Sequence, residues 1–209
     1  AGIKVHAHNS RESISSKGVG RFAAILCERY QGVPFEDEGR LTNYAIREHF
    51  LTQIFSRARW RETCKLGTMG ALVDFHTKNK HLLLAHNEVE MRQLGPIVAN
   101  HSNLPPENVY AAYQEHLFTA LGQAPRPTAT VNVLMHALGY FELTFAERSY
   151  FLECLEDYRS GQLPLSVPQS IIRIWSIRFQ VDYLLQQTFF APYPEELVQI
   201  TDSGKGRSF

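Results

Sequence analysis

The alternation of apolar and polar residues along the chain predicts a protein built from α-helices. Apolar residues recur at helical spacing in seven segments, which we expect to be helices: residues 18–30, 41–60, 68–86, 107–121, 128–145, 146–159 and 168–190. We expect the third segment to continue to residue 100, with an interruption near Gly95 and Pro96. This pattern predicts an all-α fold, a multi-helix bundle of six to eight helices.

The first forty residues have a different pattern. Residues 4–7 read as a short strand, and a glycine-led helix follows, which is the pattern of a short βα remnant of an α/β domain. We therefore interpret the chain as a piece of a longer protein whose first domain is mostly missing. The expected segments are the remnant at 1–38, a connecting helix at 39–66, a helical domain at 67–200 and a frayed tail at 201–209.

Composition excludes several classes of protein. The chain has 209 residues, of which 44% are hydrophobic and 20% charged, so it is neither disordered nor low in complexity. It has no apolar run long enough to cross a membrane, and its first residues lack the apolar core of a signal peptide. The three cysteines, Cys27, Cys64 and Cys154, are widely spaced and offer neither a disulfide framework nor a metal site. We expect a cytoplasmic protein.

The net charge is zero but unevenly distributed. Residues 1–69 contain 11 basic and 7 acidic residues (+4), and residues 70–209 contain 10 and 14 (−4). The basic excess is greatest around Trp60, which could stack on a base while its neighbours contact phosphates. Those neighbours are Arg57, Arg59 and Arg61. The alternative is a solvated helix end whose cations complement the helix dipole.

Polar side chains at helical spacing form stripes on three of the predicted helices. We expect the stripes to converge on a pocket for an anionic or heterocyclic ligand, with Arg173 near its mouth. The stripe residues are His76, Lys80, Asn132, His136, Tyr140, Arg173 and Gln187, and His86 is a further candidate. The alternative is a closed hydrogen-bond network that fixes helix register. Catalytic residues are not identified, because the chain has no nucleophile elbow, P-loop or zinc-helix motif.

Several short motifs resemble those of a known family. The segments EDEGRL, AIREHF, FHTKNKHLLLAH, HALGYF, LPLSVP, YLLQQ and APYPEEL occur in the same order as in the YbgA-like domain of unknown function. Members of that family often follow a second domain of the thiouracil desulfurase type. Residues 1–40 resemble the end of such a domain, including its GxGxFA helix.

The resemblance implies a role in removing sulfur from 4-thiouridine in tRNA, in a bacterial protein. It implies a 4Fe-4S cluster on three cysteines of the upstream domain, with the substrate's sulfur taken by the fourth iron. Cys27 matches no cluster position, so we expect this chain to hold no cofactor and to be inactive alone. Its expected partners are tRNA and the upstream iron–sulfur domain, with no membrane.

Two other functions stay open on the sequence. The chain could be a small-molecule enzyme or sensor that uses the polar pocket without RNA, or a structural module that binds a partner protein. The sequence does not determine the oligomeric state.

Overall fold

A computed structural model describes residues 21–30 and 32–197 of the protein. Within these residues the chain forms nine α-helices and three short 3-10 helices, and it forms no strand. The α-helices are α1 (Arg21–Arg29), α2 (Tyr44–Leu66), α3 (Met69–His86), α4 (Glu88–Ala99), α5 (Pro106–Leu121), α6 (Pro127–Leu138), α7 (Phe145–Arg159), α8 (Ser166–Arg178) and α9 (Asp182–Leu185). The all-α fold is confirmed, with more helices than the six to eight predicted. The predicted strand at 4–7 and tail at 201–209 lie outside the described residues.

The described residues divide between two compact units, and the division falls inside α2, after Ile54. The first unit contains α1, a 3-10 turn at Arg40–Thr42 and the start of α2. The connection around residue 37 contains a turn, in which the Asp37 carboxylate accepts a 2.9 Å hydrogen bond from the Gly39 N–H. The boundaries predicted at 38/39 and 66/67 stay predictions.

In the second unit, α3 lies at the centre of the helix packing. It packs against α4, α5, α6 and the 3-10 turn Thr188–Phe190, while α8 packs against α6, α7 and α9. Leucines dominate the buried core. A leucine side chain has few, well-defined rotamers and no polar atom, so it fills the space between helices without needing a hydrogen-bond partner. Fully buried core residues include Leu72, Leu83, Leu94, Leu117, Leu134 and Leu184.

The break between α3 and α4 occurs at Asn87, not near Pro96 as predicted. Asn87 has an extended backbone, and its side chain accepts hydrogen bonds from the N–H groups of Val89 and Glu90. An asparagine that caps the second helix in this way ends the first one. Pro96 lies inside α4, where it removes one backbone hydrogen bond without ending the helix.

Two other predicted helices are interrupted. The segment 128–145 divides because α6 ends at Leu138 and a capping box of Thr144 and Glu147 starts α7. The segment 168–190 divides because Gln180 adopts a left-handed backbone, with φ of 55°, that α8 cannot continue through. A chain reversal after α8 then brings Gln187 back onto α3.

The Gln187 side chain joins the end of the chain to α3. It is 1% exposed, and its amide Nε2 donates to the Thr77 carbonyl at 2.8 Å. Its Oε1 accepts from the backbone N–H of His81 at 3.2 Å. One amide thus spans the Thr77–His81 turn of α3, and the next residue, Thr188, hydrogen-bonds to Asn79 at 2.8 Å.

We predict that Gln187→Ala lowers the free energy of unfolding by about 1–3 kcal/mol, because buried partners lose their hydrogen bonds. The control is Gln186→Ala, which removes the neighbouring, exposed amide and should leave stability nearly unchanged. Urea unfolding followed by circular dichroism measures both. Equal stability of the two variants would contradict a structural role for Gln187.

Candidate functional site

A solvent-open cleft of about 290 Å³ lies between α3, α6 and α9 in the second unit. It is lined by Lys80, His81 and Leu84 of α3, His136 of α6, Tyr140 just beyond α6, and Tyr183 of α9. Lys80 and His136 are exposed at its edge, whereas His81 is buried at its base. The cleft therefore combines aromatic faces, a fixed cation and hydrogen-bonding groups, a set that suits a planar heterocycle or a nucleotide.

Aromatic rings form one side of this cleft. Tyr140 and Tyr183 stack with ring centroids 5.8 Å apart and an interplanar angle of 27°. The His81 ring lies 5.6 Å from Tyr183 at an angle of 58°. Tyr140 remains 51% exposed, so part of its ring is available to a ligand.

The surroundings of His81 favour its neutral form. Burial lowers the pKa of the imidazole below its usual value, the hydrogen bond to Gln187 raises the pKa in part, and the positive charge of Lys80 lowers it. Its Nδ1 lies 2.8 Å from Oε1 of Gln187. A neutral imidazole in a cleft can accept a hydrogen bond or a proton through its other nitrogen.

The structure brings together three of the predicted stripe residues, Lys80, His136 and Tyr140, in this cleft. Asn132 is exposed on α6 and does not line it. His76 also lies outside it, because its Nδ1 hydrogen-bonds to the Tyr113 hydroxyl at 3.1 Å within the core. The predicted convergence is therefore wrong for Asn132 and His76.

Three further candidates also lie outside the cleft. His86 bonds through Nδ1 to the Leu82 carbonyl of its own helix at 2.9 Å. Gln187 is buried and hydrogen-bonds to the backbone of α3. For this residue the structure matches the alternative prediction, a closed hydrogen-bond network instead of an open pocket. Arg173 pairs with Glu195 and lines a separate cleft of about 430 Å³, not the mouth of the first. Arg59 lines that same second cleft.

The structure buries Trp60, which corrects the expectation that its ring lies exposed between the arginines of α2. Trp60 is 1% exposed, stacks on Tyr113 at 5.1 Å and donates its indole N–H to Gln114 at 2.9 Å. A ring buried in this way cannot stack on an external base.

The arginines around Trp60 have different environments. Arg57 lies 3.8 Å above the Phe118 ring, and Arg59 donates to the Pro192 carbonyl at 2.9 Å. Burial lowers the pKa of both guanidinium groups. Arg61 is exposed and remains available to a phosphate.

Helical spacing in the sequence did not point to His81 and Tyr183, which also line the cleft. His81 stands five positions from His76, so helical spacing alone put it on a different face. Tyr183 follows the reversal after Gln180, which helical periodicity cannot reveal. Only the return of the chain onto α3 brings these two rings together.

The residues do not fit an iron–sulfur cluster. Cys27, Cys64 and Cys154 are free thiols, and no group of three His, Cys, Asp or Glu in the described part of the chain could hold a metal ion. Among these same residues, no helix has both the length and the apolar character that a membrane span requires.

The described residues are helical throughout their regular structure, and they form a cleft with aromatic walls and a lysine at its edge. The chain belongs to the family described as "Protein of unknown function (DUF1722)", which matches residues 80–194. It is also similar to "Uncharacterized protein YbgA" of Escherichia coli (strain K12), with 32% identity over 140 residues, or 66% of this chain and 82% of that protein. No solved structure matches it. The family match includes every residue that lines the cleft.

We predict that Trp60→Ala lowers the free energy of unfolding by about 3–5 kcal/mol, because it leaves a cavity among aromatic rings. Arg61→Ala, its exposed neighbour, should change stability by less than about 0.5 kcal/mol. Thermal or urea unfolding of both variants checks this. A Trp60→Ala variant as stable as Arg61→Ala would contradict the core position of the ring.

We predict that the imidazole of His81 titrates below pH 6.5 and that Lys80→Met moves this pKa upward, because a nearby positive charge is removed. Lys78→Met is the matched control, since Lys78 pairs with Asp74 at 2.7 Å. NMR titration of the histidine signals measures both.

The lowered pKa of His81 also predicts a pH dependence of stability. The contribution of His81 to the free energy of unfolding is complete above about pH 6.5 and is lost as the pH falls toward the folded-state pKa.

Proposed function

We propose that this chain is the helical, tRNA-binding part of a bacterial protein that removes sulfur from 4-thiouridine in tRNA. The observation that carries the proposal is the cleft between α3, α6 and α9, which has the chemical groups needed to hold one nucleotide. In this proposal the chemistry belongs to an upstream thiouracil desulfurase domain with a 4Fe-4S cluster. The chain described here binds and positions the RNA in the cytoplasm.

The side chains of the cleft support binding of a single nucleotide of the RNA. The exposed part of Tyr140 offers a stacking face for a base, and stacking on aromatic rings is a common way to bind an unpaired base. Lys80 supplies positive charge at the rim, where it can contact a phosphate.

The charge distribution favours such a local site over a broad basic surface. Residues 70–209 carry a net charge of −4, which disfavours non-specific binding to RNA phosphates. The burial of Trp60 removes the stacking ring that the sequence predicts beside the arginines, and Arg59 is partly buried and bonded to Pro192. Recognition of tRNA by this chain would then depend on a shaped cleft and on Arg61.

The same observations favour a second candidate function, the binding of a free nucleoside or nucleotide by a small-molecule enzyme or sensor. A cleft of about 290 Å³ suits a small molecule, and binding of that kind needs no extended basic surface. The two candidates differ in whether affinity depends on the polynucleotide.

We predict that Lys80→Met weakens tRNA binding and reduces the slope of log affinity against log salt by about 0.7–0.9, the value of one phosphate contact. Stability should change by less than about 0.5 kcal/mol because Lys80 is exposed. Fluorescence anisotropy with labelled tRNA at several salt concentrations measures the effect.

Lys78→Met is the control, because it removes the same charge from the same helix outside the cleft. It should keep the affinity and slope of the unaltered chain. Equal effects of both substitutions would indicate a general loss of charge and contradict a site at the cleft. Binding of nucleosides without any binding of tRNA would favour the small-molecule candidate.

A further inference from the structure

We propose that His81 selects a uracil-type ring in the cleft by accepting its imino N–H through Nε2, and that the Gln187 amide fixes the tautomer this requires. The inference rests on the proposed function, because it names the base edge that the same cleft selects. It assigns a specificity-determining role to His81 and a positioning role to Gln187.

The orientation of the Gln187 amide follows from its partners. The backbone carbonyl of Thr77 can only accept a hydrogen bond, so the atom 2.8 Å from it must be the amide nitrogen of Gln187. Oε1 then points the other way, where the backbone N–H of His81 donates to it at 3.2 Å. Both ends of the amide are thus assigned by backbone groups.

The tautomer of His81 follows from that orientation. Oε1 of Gln187 can only accept, and Nδ1 of His81 lies 2.8 Å from it, so Nδ1 must carry the hydrogen. In the neutral imidazole the lone pair is then on Nε2. This nitrogen has no hydrogen-bond partner in the described part of the chain and is not sealed from solvent, and its ring lines the cleft.

An acceptor at Nε2 requires a ligand that presents a donor to it. Uracil and 4-thiouracil carry a hydrogen on N3, between O2 and the oxygen or sulfur at C4, and this N3–H is such a donor.

The same geometry disfavours cytosine. Its N3 carries a lone pair, so it would face the lone pair of His81 Nε2 without a proton between them. A site that holds an acceptor against N3 discriminates strongly against a ring without the N3–H, because the acceptor is then left without a hydrogen-bond partner. An apolar pocket of the same shape would discriminate much less between the two rings.

The tautomer can be tested in the unaltered protein. Long-range ¹H–¹⁵N NMR spectra at pH 7 should show a protonated Nδ1 and an unprotonated Nε2 for His81. The opposite tautomer, or rapid exchange between the two, would overturn the inference. Gln187→Ala should release the ring and produce such exchange, whereas Gln186→Ala should not.

Ligand selectivity can be tested with three nucleosides and the full chain. NMR titration should show 4-thiouridine binding at least about tenfold more tightly than N3-methyl-4-thiouridine or cytidine. His81→Phe keeps a ring of similar shape but removes the acceptor, so it should abolish this preference. Equal binding of all three nucleosides by the unaltered chain, or an unchanged preference in His81→Phe, would overturn the inference.

The outcomes separate this inference from the proposed function. Tight tRNA binding without the nucleoside preference overturns the role of His81 and leaves the proposed function standing. Nucleoside preference without tRNA binding overturns the proposed function and supports the role of His81 in reading the ring.

Discussion

The cleft depends on one buried contact, the Gln187 amide on the Thr77–His81 turn of α3. This contact holds the end of the chain against the central helix of the second unit, and it also orients the His81 ring at the base of the cleft. Because a buried amide is stable only when both its donor and acceptor groups are satisfied, the contact permits one register of the chain on α3. One side chain thus serves both the packing of the second unit and the orientation of a ring that lines the cleft.

The segment from α9 to Glu195 contributes to both clefts of the second unit. Tyr183 forms a wall of the first cleft, and the Arg173–Glu195 ion pair lies at the second. The carbonyl of Pro192 also accepts from Arg59 of α2. A short irregular segment can contact several helices in this way, because its backbone N–H and C=O groups are not all used in regular secondary structure and can bond to side chains.

The surroundings of Trp60 show that a tryptophan within a basic segment need not lie on the protein surface. A tryptophan between arginines has the pattern of a nucleic-acid contact, yet its ring packs against Tyr113 and Phe75. Two of the neighbouring arginines are bound within the protein: the guanidinium of Arg57 lies on the Phe118 ring, and that of Arg59 donates to the Pro192 carbonyl. Charge clustering along a helix therefore does not establish an exposed surface.

The sequence by itself determined the all-α class, the approximate positions of the helices and the family, because helical periodicity and local motifs are properties of neighbouring residues. It also selected Lys80, His136 and Tyr140, three of the residues that line the cleft. It could neither separate Gln187 from them nor add His81 and Tyr183. Only the tertiary structure decided these, since the left-handed turn at Gln180 and the return of the chain onto α3 determine which polar groups face solvent and which satisfy one another.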